Sequence, residues 1–220
     1  MDIELKTGNK TGHGYLALPD TGRGPGVLLL HAWWGLTPFI RSVCDRLAGE
    51  GFVSLAPDLY GGQTATEIDE AQRLASGLDD AMTTQLVSAA TEFLQDHEAV
   101  TGKKPAVIGF SLGAAYALQI ERPVAAVVLF YGVADAQQAP SAAFQGHFGE
   151  ADDFEPLDGV RELEQTLHGG GREVTFYTYP EMQHWFFESD RPEYDPDAAD
   201  LAWQRTVAFF KEKLEIERQS

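Results

Sequence analysis

Apolar positions in this chain gather into short, nearly continuous runs separated by longer stretches of helical spacing. Val27-Leu28-Leu29-Leu30 and Val124 to Tyr131 carry no charged or amide side chain, as in strands buried on both faces. Phe52 to Ala56, closed by Pro57, reads as another strand, and so does Lys104 to Ile108. Further strands are expected over Ala142 to Phe148 and Val174 to Tyr179. Between them, Ile40, Val43, Cys44 and Leu47 recur at helical spacing, with Gly49 and Gly51 bracketing the stop. Helical sequence also spans about 67–95, Leu157 to Leu167, and about 198–214, where Leu201, Val207, Phe210 and Leu214 are expected on the buried side. The chain opens on an expected hairpin, with Ile3 to Lys6 and Tyr15 to Leu18 flanking a turn-rich segment, Thr7 to Gly14.

Strands alternating with helices, most strands apolar throughout, predict an α/β domain with a mainly parallel central sheet and helices on both faces. No repeat, low-complexity tract or linker divides residues 1–220, so a single domain is expected. Ligands of such sheets bind beyond the carboxyl ends of the strands.

Composition narrows the partners. The formal net charge is −18, with the acids spread along the chain, which disfavours nucleic acid and anionic membranes. No apolar run approaches the roughly 18 residues of a membrane span. The charged, interrupted start Met1-Asp2-Ile3-Glu4-Leu5-Lys6 lacks a secretory signal, so the sequon at Asn9-Lys10-Thr11 carries no meaning. A single cysteine, Cys44, fits a reducing compartment, and the cytoplasm is expected.

The candidate chemistry starts at Gly109-Phe110-Ser111-Leu112-Gly113. An apolar run precedes it and Ala114-Ala115-Tyr116-Ala117-Leu118 follows, giving the strand–turn–helix setting of a G-x-S-x-G nucleophile elbow. An ordinary Gly-rich turn is the alternative. A serine hydroxyl needs a base, and His184 lies past the last predicted strand, matching the order Ser, acid, His of α/β-hydrolases. His13, His97 and His168 fall in expected turns or helix ends, and His147 inside a strand reads as a hydrogen-bonded core residue. An imidazole base needs a carboxylate on its other nitrogen. Glu150, Asp152, Asp153 and Glu155 all follow the strand ending near Phe148, and Asp135 follows the preceding one, so position leaves several choices.

His31-Ala32-Trp33-Trp34-Gly35-Leu36, Ala56-Pro57-Asp58-Leu59-Tyr60-Gly61-Gly62, the elbow, Gly149-Glu150-Ala151-Asp152 and His184 occur in the order of the dienelactone hydrolase family. The resemblance runs from about Val27 to Phe210 and implies the α/β-hydrolase fold. It implies Asp152 as the triad acid, with the Trp33 and Leu112 backbone N–H groups as oxyanion donors. The family's namesake carries a cysteine where this chain has Ser111, and a glutamate associated with it at the position of Ala32. Both changes imply a plain Ser–His–Asp machine. One of the namesake's carboxylate-binding arginines falls on Glu188, which with the net charge argues against an anionic substrate.

Trp33, Trp34, Tyr60, Phe110, Tyr131, Trp185 and Phe186 neighbour expected strand ends, and several are candidates to line an apolar pocket. Packing of loops onto the sheet is the competing role for each. His168-Gly169-Gly170-Gly171 copies a lipase oxyanion motif but stands after the nucleophile, where a helix cap explains it. Cys44 on an apolar helix face reads as a small hydrophobe. No metal-ligand spacing, G-x-G-x-x-G or Walker loop appears, so no cofactor or metal is implied. The expected activity is hydrolysis of a small-molecule carboxylic ester or lactone through an acyl-enzyme. An amidase, peptidase or acyltransferase with the same triad is the competing enzyme, and a non-catalytic binder on a hydrolase fold the competing class.

Overall fold

The computed structural model describes residues 1–8 and 10–214, so the sequon's Asn9 lies outside the described residues. The chain runs β1 (Asp2–Thr7), β2 (Lys10–Ala17), β3 (Gly24–Leu30), α1 (Pro38–Gly49), β4 (Val53–Pro57), α2 (Ile68–Ser76), α3 (Asp80–Asp96) and β5 (Val100–Phe110). It continues through α4 (Leu112–Ala117), β6 (Ala126–Phe130), β7 (Ala143–Gly149), α5 (Leu157–Gly169), β8 (Val174–Tyr179) and α6 (Pro196–Lys213). The eight strands form one sheet in the order β1-β2-β4-β3-β5-β6-β7-β8. Pairs from β4 to β8 are parallel, whereas β1–β2 and β2–β4 are antiparallel.

The apolar runs form the centre. Val27 to Leu30, Ala106 to Ile108 and Ala126 to Phe130 are wholly buried, because helices cover both faces of these strands. α1 and α6 share one face: Arg46 lies over the Trp203 ring, Lys211 bonds Glu50, and Phe52 meets Phe210. α3 and α4 cover the other, joined by the Tyr116 hydroxyl donating to Asp80, as right-handed crossovers require. No helix among the described residues is long and apolar enough to cross a membrane.

Three expectations change, and the cap expected at His168 to Gly171 is present. The opening ladder reaches Thr7↔Lys10, so most of the segment expected as turn is paired strand, and His13 sits within β2. The helical stretch 67–95 is two helices. Gly77 ends α2, and the Asp79 carboxylate accepts from the Met82 N–H to start α3, because a side-chain cap stabilises a fresh start. Leu201 is exposed on α6, whose buried side is set instead by Ala199, Ala202, Trp203, Thr206, Val207 and Phe210. That 3–4 spacing leaves Leu201 about 200° around the helix from Trp203. The run His168 to Gly171 caps α5, with Gly171 at φ +76°.

Candidate active site

Four strand ends supply the site. Ser111 follows β5 at φ 50°, ψ −110°, in the left-handed half of backbone space. Its N–H donates to Phe130 O at 2.9 Å, holding the turn against β6. Strand and helix must nearly touch for this turn to close. A Cβ on Gly109 would lie 2.5 Å from Gly113 O, and one on Gly132 would lie 2.5 Å from Ser111 O. Glycine at these positions admits that approach.

His184 lies in the loop between β8 and α6 and Asp152 in the loop after β7, and both are buried. His184 Nε2 is 2.9 Å from Ser111 Oγ, and its Nδ1 is 2.7 Å from Asp152 Oδ2. The second carboxylate oxygen of Asp152 accepts from the N–H groups of Phe154 at 2.8 Å and Glu155 at 3.0 Å. A carboxylate tied by two amides cannot swing away from the imidazole. With Nδ1 donating to Asp152, Nε2 presents a lone pair to the serine hydroxyl. The acid and base loops are also stitched to each other. Glu150 N–H donates to Tyr179 O at 3.0 Å and Ala151 N–H to Met182 O at 2.9 Å. Of the candidate acids, only Asp152 has a hydrogen bond to the imidazole among the described residues. Asp135 Oδ1 accepts from the Gln137 N–H, and Glu155 Oε1 from the Val133 N–H.

Trp33 follows β3, and Leu112 opens α4, so the Leu112 N–H has no preceding turn to bond. His31 fixes the Trp33 loop: its Nδ1 is 2.7 Å from Ala32 O, and its Nε2 accepts from the Leu59 N–H at 3.1 Å. Burial lowers its pKa, keeping it a neutral link between the loops after β3 and β4. Sequence reasoning assigns His31 nothing beyond its motif, since only the fold brings Leu59 to it. Burial likewise pushes His147 down to about 3, and it bonds Tyr179, Gln145 and Thr206 in the core.

A cleft of about 210 Å³ opens beside Ser111. Trp33, Leu112, Ala115, Val133, Phe154, Glu155 and Trp185 line it together with His184. Of the aromatics expected to line a pocket, Trp33 and Trp185 border this cleft. Phe110 stacks on Phe130 and Phe187 in the core, with centroids 4.8 and 5.6 Å away. Tyr131 is fully buried, with its ring 5.0 Å from that of His184. Trp34 packs against Trp185 at 5.1 Å, Tyr60 against His31 at 5.1 Å, and Phe186 is fully buried. Strand-end position alone does not say which way a ring points, so the packing role won at these positions. Phe154, half exposed within an acidic run, is the aromatic that position missed.

Glu188 also departs from expectation. It is buried away from the cleft, accepts from the Tyr131 hydroxyl at 2.9 Å, and is pushed up to about 8 by burial. Its charge therefore does not face a ligand at neutral pH. The carboxyl that does border the cleft is Glu155, raised to about 7, first by desolvation and then by the Asp152 charge, against the Val133 N–H.

Comparison with known proteins places this chain. The profile of the dienelactone hydrolase family matches residues 13–214. The chain is 34% identical to "Protein usf" of Aquifex pyrophilus, over 96% of this chain and 98% of that one. It is 29% identical to a carboxymethylenebutenolidase of a Pseudomonas species, over 96% and 94%. A crystal structure of a dienelactone hydrolase-like promiscuous phosphotriesterase from metagenomic libraries superposes with a TM-score of 0.86 at 22% identity, over 97% of each chain. That likeness is one of fold.

Proposed function

This chain belongs to the dienelactone hydrolase family and is a carboxylic ester hydrolase acting on small-molecule esters or lactones, and we propose that it works through Ser111, His184 and Asp152. The observation that carries the reading is the unbroken chain Ser111 Oγ–His184 Nε2, His184 Nδ1–Asp152 Oδ2. As Ser111 Oγ attacks the carbonyl carbon, His184 Nε2 takes its proton and Asp152 stabilises the imidazolium. The N–H groups of Trp33 and Leu112 donate to the oxyanion, and the imidazolium returns its proton to the leaving alkoxide. Water then attacks the acyl-enzyme with the same base, releasing the acid and restoring Ser111. Amide donors held by folded turns need no reorganisation as charge develops, which is why such contacts weigh heavily in the barrier.

The position of Ala32 offers no second carboxylate, so His184 serves as base in both half-reactions. The apolar lining favours a neutral or weakly polar acyl group over a carboxylate-bearing one, because Lys and Arg are absent from the described lining. The buried single Cys44 accords with a cytoplasmic setting. A fluorophosphonate should label Ser111 covalently, with Ser111→Ala unlabelled and inactive on p-nitrophenyl esters. Labelling at another residue, or full activity of the alanine variant, would overturn the assignment.

A further inference from the structure

The cleft pairs an aromatic wall with one carboxyl that has no countercharge among the described residues. Phe154 meets Trp33 edge-on at 6.2 Å and Trp185 at 4.9 Å, so the three rings form one continuous surface. Phe154 is 48% exposed, an unusual state for a ring with apolar neighbours to hand, and its open side adjoins the cleft. Glu155 is half-buried beside it, and among the described residues its carboxylate accepts one long hydrogen bond, 3.4 Å from the Val133 N–H. No Lys or Arg pairs with Glu155 among the described residues. Burial without a countercharge raises its pKa to about 7, so the carboxyl lacks something a ligand can supply.

We propose that this cleft selects esters carrying an ammonium group, seated against Trp33, Phe154 and Trp185 with Glu155 as its counterion. Ring faces attract a cation through their quadrupole, and the attraction grows as the cation leaves water. An adjacent carboxylate adds Coulomb attraction in a partly desolvated setting. The net charge of −18 draws cations toward the molecule and repels anions. A carbon isostere of the same shape gains the apolar contact but neither charge effect. The proposal rests on the ester-hydrolase reading for turnover, and on the cleft alone for binding.

The test therefore has two arms. In the first, the wild type hydrolyses acetylcholine, its carbon isostere 3,3-dimethylbutyl acetate, and an ester of equal length ending in a carboxylate. At low salt kcat/KM should fall in that order, with the first ratio about tenfold. In Glu155→Gln that ratio should fall to about threefold, the part the rings supply, and Phe154→Ala should lower it to a similar extent. Ester turnover with no preference for acetylcholine overturns the proposal and leaves the hydrolase reading standing. In the second arm, Ser111→Ala protein is titrated with choline or 3,3-dimethylbutan-1-ol, following tryptophan fluorescence, to which Trp33 and Trp185 contribute. Choline should bind about tenfold more tightly, and the difference should shrink to about threefold with Glu155→Gln. Equal binding overturns the proposal even if the wild type hydrolyses no ester, an outcome that would separately defeat the hydrolase reading.

Discussion

The Tyr131 hydroxyl lies 2.9 Å from the Glu188 carboxyl, and the same tyrosine ring packs 5.0 Å from the ring of His184. A buried acid thus stands behind the proposed base, linked to it through one aromatic side chain. Burial, more than the neighbouring Asp190 charge, holds Glu188 near 8 and keeps it protonated at neutral pH. An unfolded glutamate titrates near 4.3. Between those values the folded state binds a proton that the unfolded state lacks, so stability falls as pH rises through this window. Glu188→Gln should flatten the dependence and melt higher than the wild type at pH about 8. Tyr131→Phe should cost roughly 1–3 kcal/mol by leaving the carboxyl unpaired. Urea denaturation from pH 5 to 8 checks both, and a wild type that loses no stability relative to Glu188→Gln as pH rises would refute the first.

Removing the nucleophile should be as damaging as removing the base. Ser111→Ala and His184→Ala should each lose nearly all esterase turnover, and the double variant should lose little more, since the groups act as one unit. Steady-state rates on a p-nitrophenyl ester decide this, with circular dichroism as the folding control.

The acid is separable from its neighbours. Asp152→Asn keeps an oxygen for the Phe154 and Glu155 amides, so the loop should hold while kcat drops by about three to four orders of magnitude. Asp153→Asn and Asp135→Asn should change kcat by less than about twofold, being unbonded to the imidazole. A greater loss at Asp135 would relocate the acid to the loop after β6.

Backbone contact at the elbow makes its glycines intolerant. A Cβ on Gly132 would sit 2.5 Å from Ser111 O and 2.7 Å from the Ala114 Cβ. Gly132→Ala should therefore displace the serine and depress kcat far more than KM. Overpacking of this kind costs typically 1–3 kcal/mol, so a thermal melt should shift as well. An alanine variant with unchanged kcat would mean that the turn is slacker than its contacts indicate.

The apolar runs were readable because central strands buried on both faces tolerate no polar side chain, as at Val27 to Leu30 and Ala126 to Phe130. The elbow was readable because its glycines and its strand–helix setting are local in sequence. Asp152 was not singled out by position. Four carboxylates share its loop, and only the fold decides which reaches the imidazole; the family resemblance supplied the choice. The pocket was the least legible part. Phe110 and Tyr131 occupy strand ends as Trp185 does, yet their rings turn inward onto Phe130 and Phe186. Glu188 illustrates the same limit: a charge counted in the sequence is neutralised by its surroundings. Leu201 failed for a simpler reason, since one leucine does not outweigh the phase set by Trp203, Val207 and Phe210.

The stitching of the loops after β7 and β8 has a further consequence. Because Glu150 and Ala151 bond the backbone at Tyr179 and Met182, the two loops bearing acid and base form one cooperative unit. A thermal fluctuation that frees one frees the other, so no long-lived form should retain a positioned histidine with a wandering aspartate. Activity should vanish in a single exponential on warming, and the amides of Glu150 and Ala151 should exchange with solvent deuterium at matching opening free energies.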